Sequence, residues 1–246
     1  GITWKKNHRV LVLTPSSLLW SLKPLREASE GGVVLAVSED NHPRLLAELE
    51  VLAPIQRPLL IDSKVESIKK LEDNLKFEVI GGRIPWKAFS ETKFLELWPI
   101  LTEKCTANTE LSLIISNPCS GPAFSLKESL EVFRKNKNTD FSLLNDLIIK
   151  EEKWLNNQDQ KKKFFLQLEK LGWNISLDQW TEFVYQKVNS SIIERWFNQG
   201  SEYREIILKN CEEETLIRLK NQFKILDGQT IKQKLIHTKL LAKNNS

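Results

Sequence analysis

The sequence predicts an α/β protein organised around a doubly wound, parallel β-sheet. The first 120 residues alternate short runs of apolar residues with segments of helical spacing. The stretch 9–40 is the first example of this alternation, since it contains a strand, a helix ended by two glycines and a second strand. Apolar runs of about five residues are typical of strands that are buried on both faces of a sheet. Five such runs joined by four helices indicate right-handed crossovers.

The elements of the first half follow from their apolar spacing. Strands are predicted at residues 9–13, 33–37, 59–62, 77–80 and 111–116, and helices at 18–30, 43–52, 64–74 and 91–104. Ser16 or Ser17 is expected to cap the first helix, because serine side chains accept hydrogen bonds from helix N-termini. Two segments are predicted as loops, 81–86 after the fourth strand and 117–122 after the fifth.

The second half has a different pattern. Helices are predicted at 126–134, 141–156, 164–171, 202–210 and 212–226, with extended structure over 173–188 and a final strand within 230–242. Ser191 and Glu194 match a capping box that opens another short helix. We therefore expect a single domain over residues 1–246. It comprises a parallel α/β half (9–120), a helical insertion (121–160) and a C-terminal part of strands and helices (161–246).

Composition limits the class of function. The net charge is +4, from 36 basic and 32 acidic residues, which permits weak binding to an anionic partner but does not require it. Three cysteines without paired spacing disfavour a disulfide framework or a zinc site and suit a reducing cytoplasm. No apolar run reaches the roughly 20 residues that span a membrane. The chain has no methionine and begins with glycine, so we expect a piece excised from a longer protein.

Several conspicuous residues have ordinary structural explanations. The three histidines are scattered and form no catalytic or metal-binding pattern. The lysines at 161–163 are expected to form a solvated helix start, with contact to nucleic acid as the less favoured interpretation. Four tryptophans fall on apolar faces and are expected in the core, namely Trp154, Trp173, Trp180 and Trp196.

The layout of strands resembles the class I S-adenosylmethionine-dependent methyltransferase fold. RVLVL at 9–13, VVLAV at 33–37, LLID at 59–62, FEVIGGRIPW at 77–86 and LSLIIS at 111–116 correspond to the first five strands of that family. The resemblance implies a Rossmann-like, seven-stranded sheet of order 3-2-1-4-5-7-6 with strand seven antiparallel. It also implies S-adenosylmethionine as the cofactor.

The resemblance places cofactor-binding positions at the ends of the strands. The loop Thr14-Pro15-Ser16-Ser17 takes the place of the family's glycine-rich loop, but it contains no glycine. Glu39 or Asp40 takes the place of the acidic residue that binds the ribose hydroxyls. Strand ends in α/β folds also carry Asp and Asn simply as turn formers.

Further along the chain, Asp62 takes the position that contacts the adenine amino group. Gly81, Arg83 and Trp86 lie in the segment at and after the fourth strand, where ligands of open α/β folds bind.

A narrower resemblance concerns the C-terminal third. The segments 194–197 (ERWF), 201–208 (SEYREIIL) and 228–244 look like the methyltransferase-like domain fused after the AAA+ ATPase RarA, also called MgsA. This implies an ATPase module in the same chain as a partner, and nucleic acid as a partner through that module. Two functions therefore stay open, a methyltransferase and a non-catalytic partner or regulatory domain in DNA replication and recombination.

Overall fold

The computed structural model describes residues 2–85, 88–89, 92–119, 121–133, 141–155 and 159–245. The chain divides into two compact units. The first unit contains Gly1–Ser116, Gln158–Gln179 and His237–Ser246, and the second contains Asn117–Asn157 and Trp180–Ile236. The single domain and the insertion at 121–160 stay predictions.

The strands form one seven-stranded sheet of order β3-β2-β1-β4-β5-β7-β6. They are β1 (Val10–Leu13), β2 (Val33–Val37), β3 (Leu59–Asp62), β4 (Phe77–Pro85), β5 (Cys105–Cys119), β6 (Trp173–Lys187) and β7 (Thr230–Asn244). β1 pairs in parallel with β2 and β4, β2 with β3, and β4 with β5. The predicted fold class and strand order are confirmed.

The helices connect these strands or follow them. They are α1 (Leu19–Glu27), α2 (His42–Leu49), α3 (Val65–Lys69), α4 (Thr92–Glu103), α5 (Pro122–Phe133), α6 (Phe141–Leu155), α7 (Asp159–Lys170), α8 (Ser190–Phe197), α9 (Glu202–Ile206) and α10 (Glu213–Phe223). None of the described helices is long and apolar enough to cross a membrane.

Two predicted loops are strands in part. β4 continues through residues 81–85 and pairs with β5 as far as Pro85 opposite Ser116. β5 itself continues to Cys119, so the first half of the turn predicted at 117–122 is extended. The glycines and proline that suggest loops fit here because Gly82 lies against the backbone of β1 and Pro85 ends its strand.

The predicted helix caps at serines are wrong. Neither Ser16 nor Ser17 caps α1, which is preceded by Leu18 without a side-chain cap. The cap of α8 is Asn189, whose side chain accepts a hydrogen bond from the Ile192 N–H at 2.9 Å, rather than Ser191. Asparagine is as good an N-cap as serine, and here it stands at the position where the backbone is still extended.

The first unit has a core on each face of the sheet. Alternate residues of β1 separate onto the two faces, with Val10 and Val12 on one and Leu11 and Leu13 on the other. α1 and α2 cover the first face, where Leu18 and Leu45 are buried. α3, α4 and α7 cover the second face, where they contribute the buried residues Ile68, Trp98, Leu101, Phe164 and Leu168.

Two exposure predictions are wrong. Lys161 is only 4% exposed, because it shares the buried stripe of α7 with Phe164 and Leu168 at helical spacing. Burial lowers the pKa of its ammonium group to about 8. Trp180 in the middle of β6 is 39% exposed, whereas Trp173 at the start of the same strand is buried as expected.

The core of the second unit contains a buried carboxylic acid. Glu151 of α6 accepts hydrogen bonds from the N–H groups of Ala123 (2.9 Å) and Phe124 (3.3 Å) at the start of α5, and from the Tyr203 hydroxyl. A Cβ on Gly121 would lie 2.1 Å from Glu151 Oε1, so only glycine admits the carboxyl group. Burial raises the Glu151 pKa to about 7, although these hydrogen bonds favour the charged form.

Candidate functional site

The candidate site lies in the first unit, where β1 separates two oppositely directed crossovers. β2 lies on one side of β1 and β4 on the other, so the chain leaves the carboxyl ends of β1 and β4 toward different faces. Such a switch point forms the crevice in which open α/β folds bind ligands. In register, Leu13 lies opposite both Ala36 and Gly82, which places the residues after them around this crevice.

A side-chain hydrogen bond joins β1 to β4 at the base of the crevice. Thr14, the first residue after β1, donates its hydroxyl hydrogen to the carbonyl oxygen of Arg83. Its N–H donates to the Ala36 carbonyl at 2.8 Å, so its backbone is fixed toward β2 as well. Thr14 also has a φ of 43°, in the left-handed region that glycine occupies most easily. A β-branched residue in this conformation costs of order 1–3 kcal/mol.

The two strands approach very closely beside this hydrogen bond. Gly82 has a φ of 121°, and a Cβ there would lie 2.2 Å from the carbonyl oxygen of Leu13. Any other residue would therefore force β1 and β4 apart. The floor of the crevice is thus packed backbone.

The N-terminus of α1 already holds a carboxylate of the protein. The Leu18 N–H donates to Glu48 Oε2 at 2.7 Å, and Glu48 projects from α2. Arg44, one turn earlier on α2, lies 3.5 Å from the other carboxylate oxygen. A helix N-terminus attracts negative charge, and Glu48 meets that preference from within the chain.

The loop between Thr14 and α1 is held by its own side chains. Pro15 is buried, and Ser16 Oγ accepts a hydrogen bond from the Trp20 indole N–H at 3.2 Å. Leu18 is buried in the core beneath α1. Each residue of this loop that the resemblance assigns to a cofactor therefore makes a contact within the protein.

The acidic positions lie at the ends of the neighbouring strands. Ser38 follows β2 directly, and Glu39 and Asp40 lie in the 3₁₀ turn Glu39–Asn41 that comes next. Asp62 is the last residue of β3 and lies opposite Val37 in register. Side chains at Ser38, Glu39 and Asp62 are thus at the same edge of the sheet as Thr14.

An ion pair engages one of these acids. Lys64 Nζ lies 3.2 Å from Glu39 Oε2, and the Glu39 side chain is 83% exposed. The hydrogen bond and the charge of Glu39 raise the pKa of Lys64. Such an exposed pair contributes little to stability.

The residues assigned to the segment after the fourth strand have a different position from the one predicted. Gly81 and Arg83 both lie within β4: Gly81 lies between Val12 of β1 and Ser112 of β5, and Arg83, one residue past the last pair with β1, lies opposite Ile114 of β5. Gly81 lines a cavity of about 250 Å³ on the sheet face that α1 covers, together with Trp20, Pro24 and Ser112. Trp86 lies outside the described residues.

Two residues near the candidate site, Glu48 and Ser38, are not among those predicted from the sequence. Glu48 adjoins Leu45 and Leu49, the buried residues of α2. Its position at the border of this apolar stripe could have indicated that its side chain faces the rest of the protein. Ser38 immediately follows the last strand residue, one position before the acids. Among the described residues, no group of three or more His, Cys, Asp or Glu side chains could hold a metal ion.

Comparison with known proteins establishes the fold. No protein-family model matches the chain, and no curated protein matches it in sequence. It is similar to a solved structure from Bacillus halodurans described as a candidate methyltransferase, with 14% identity over 99% of this chain and 95% of that one, and a TM-score of 0.51. It is also similar to the YcgJ protein of Bacillus subtilis, with 11% identity over 99% of this chain and 94% of that one, and a TM-score of 0.54. The chain therefore has the Rossmann-like methyltransferase fold.

Proposed function

We propose that this chain is a methyltransferase-like domain that acts as a non-catalytic partner or regulatory domain. The first loop carries the proposal, because Thr14 and Ser16 are hydrogen-bonded within the protein and Pro15 is buried where a cofactor would need to lie against glycine. A domain that keeps the sheet but closes its ligand crevice retains surfaces for partners and loses the means of catalysis.

The residues present do not fit the methionine part of S-adenosylmethionine. That part needs a glycine loop along which the cofactor can lie without meeting a Cβ. Here Thr14 supplies a branched side chain directed to Arg83, and Pro15 supplies no N–H. Glu48 adds a negative charge at the N-terminus of α1, which would repel a cofactor carboxylate.

The partner is proposed to be an AAA+ ATPase of the RarA or MgsA type, in DNA replication and recombination. The support is the resemblance of the C-terminal segments, which fall on α8 (194–197), on α9 and the residues after it (201–208) and on β7 (228–244). A RarA-type ATPase assayed with and without this chain tests the proposal. A changed rate of ATP hydrolysis supports a regulatory role, and an unchanged rate together with no complex in gel filtration contradicts it.

The second candidate function is an S-adenosylmethionine-dependent methyltransferase. Glu39, Asp40 and Asp62 favour it, because they lie at the ends of adjacent parallel strands on the crevice side of the sheet. Carboxylates in the turn after β2 and at the end of β3 are suited to accept hydrogen bonds from ribose hydroxyls and an adenine amino group.

Calorimetric titration with S-adenosylmethionine and S-adenosylhomocysteine separates the two functions. The closed crevice predicts no heat of binding with millimolar ligand. Micromolar binding that is lost in Asp40→Ala, and retained in the control Asp227→Ala of the second unit, would establish the cofactor site and contradict the non-catalytic proposal.

A further inference from the structure

One face of the sheet in the second unit exposes aromatic rings. Phe183 and Tyr185 of β6 are 51% and 69% exposed, although large aromatic side chains are normally covered. They are two residues apart on one strand, so they lie on the same face, about 7 Å from each other along it. The rings are therefore a pair of neighbouring, accessible platforms.

Lysines surround these rings. The ammonium group of Lys232 on β7 lies 4.1 Å from the ring centroid of Phe183, which places it on the same face as the two aromatics. Val188 donates an N–H to the Gln229 carbonyl at 2.8 Å, so β6 ends beside the start of β7 and the two neighbouring strands run in opposite directions. By alternation Lys187 and Lys234 fall on this face too.

We call this surface the aromatic face. It consists of Thr181, Phe183, Tyr185 and Lys187 of β6 and of Thr230, Lys232 and Lys234 of β7. These positions carry three cationic side chains, two aromatic rings and three hydroxyls, one of them on Tyr185, and none carries a carboxylate.

The opposite face of β7 belongs to the core. Ile231 and Gln233 are buried, and the Ser125 hydroxyl of α5 donates to the Lys232 carbonyl at 3.2 Å. On β6 the opposite face is half-buried at Val184 and Gln186 and exposed at Glu182. On β7 the aromatic face is thus the outer side of the strand, while the other side packs in the core.

We propose that the aromatic face binds single-stranded nucleic acid, with bases stacked on Phe183 and Tyr185 and phosphates paired with the lysines. Aromatic rings stack on every base, and a cationic groove follows the backbone, which is the combination that binds single strands without sequence preference. Charge complementarity selects this occupant, because the face offers cations and no carboxylate to a partner. The proposal uses no residue of the candidate cofactor site.

Fluorescence anisotropy with a short labelled oligo(dT) tests the proposal. The intact chain is expected to bind the single strand more tightly than the matching duplex, since paired bases cannot stack on the rings. Phe183→Ala and Tyr185→Ala are each expected to weaken binding by roughly 5- to 150-fold, from about 1–3 kcal/mol per stacked base. Tyr185→Phe keeps the ring and is expected to keep the affinity.

A matched pair of lysine variants tests the phosphate contacts. Lys232→Ala removes a cation from the aromatic face, whereas Lys209→Ala removes an exposed cation elsewhere in the same unit. The first should lower the slope of log affinity against log salt by about one, and the second should leave it unchanged. Circular dichroism of each variant checks that the fold is intact.

Four results would overturn the proposal. They are no binding at low salt with submillimolar chain, equal affinity for single strand and duplex, unchanged affinity in both ring variants, and tighter binding of a labelled poly-glutamate peptide than of oligo(dT). The last result would identify an acidic protein segment as the occupant.

Discussion

Replacement of the buried acid Glu151 by glutamine is expected to remove a specific dependence of stability on pH. The Glu151 pKa is about 7 in the folded chain and 4.5 as the ordinary value. Below the lower pKa the carboxyl group is protonated in both the folded and the unfolded state, so it adds no pH dependence to the free energy of unfolding. Between the two pKa values the folded state binds the proton and the unfolded state does not, so the free energy of unfolding falls as pH rises. Above the upper pKa the loss is complete.

The size of the effect follows from the separation of the two pKa values. Each pKa unit corresponds to about 1.4 kcal/mol, so the free energy of unfolding should fall by about 3 kcal/mol from acidic to weakly alkaline pH on account of this group. Glu151→Gln imitates the protonated acid, since its carbonyl oxygen can still accept hydrogen bonds from Ala123 and Tyr203. The variant should lack this part of the pH dependence.

Urea unfolding followed by circular dichroism across this pH range measures the effect. The difference between the intact chain and Glu151→Gln isolates the single group from all other titrations. Glu214→Gln is the control, because Glu214 is exposed on α10 of the same unit and its variant should keep the full pH dependence. Equal pH dependence in the intact chain and in Glu151→Gln would refute the reasoning.

Three further substitutions test the packing. Gly82→Ala should lower the free energy of unfolding by at least about 2 kcal/mol, because its Cβ would meet the Leu13 carbonyl. Gly81→Ala is the control and should change that free energy by no more than about 1 kcal/mol. Similar urea midpoints for the two variants would contradict this prediction. Gly121→Ala should lower the free energy of unfolding, measured with urea, by about 1–3 kcal/mol, because it displaces the Glu151 carboxyl group from its hydrogen-bond partners. In the double variant with Glu151→Gln, the total loss should be smaller than the sum of the two single losses. Lys104→Met should lower the free energy of unfolding by a similar amount, because the buried Lys104 ammonium group binds the carbonyls of Leu71 (2.8 Å) and Glu72 (3.1 Å). Lys70→Met, at an exposed site, should leave the free energy of unfolding unchanged. Equal losses in the two variants would show that these hydrogen bonds are not the cause.

The first three strands could be predicted because they are encoded locally, whereas the strand order was implied by the resemblance to a known fold. The runs 9–13, 33–37 and 59–62 are apolar over a strand length and bounded by turn residues, and all three are strands within a residue of the predicted limits. The prediction failed at 81–85, where glycine and proline suggest a loop. There the pairing of β4 with β5 and the tight contact of Gly82 with Leu13 decide the conformation, and both are non-local.

The composition of the first loop could be predicted from the sequence, but its contacts could not. The absence of glycine could be read directly from Thr14-Pro15-Ser16-Ser17. The contacts could not, because they join residues distant in sequence, Thr14 with Arg83 and Leu18 with Glu48. The burial of Lys161 could not be predicted for a similar reason. A run of three lysines suggests a segment exposed to solvent, but Lys161 falls on the packed face of α7.

Amide chemical shifts measured by nuclear magnetic resonance test the closed crevice most directly. The amides of Thr14, Leu18 and Gly82 lie at its three sides, so they would report a ligand there. With millimolar S-adenosylhomocysteine added, we expect these resonances to stay in place. Saturable shifts of these three amides, absent from residues of the second unit, would contradict a closed crevice and with it the non-catalytic function.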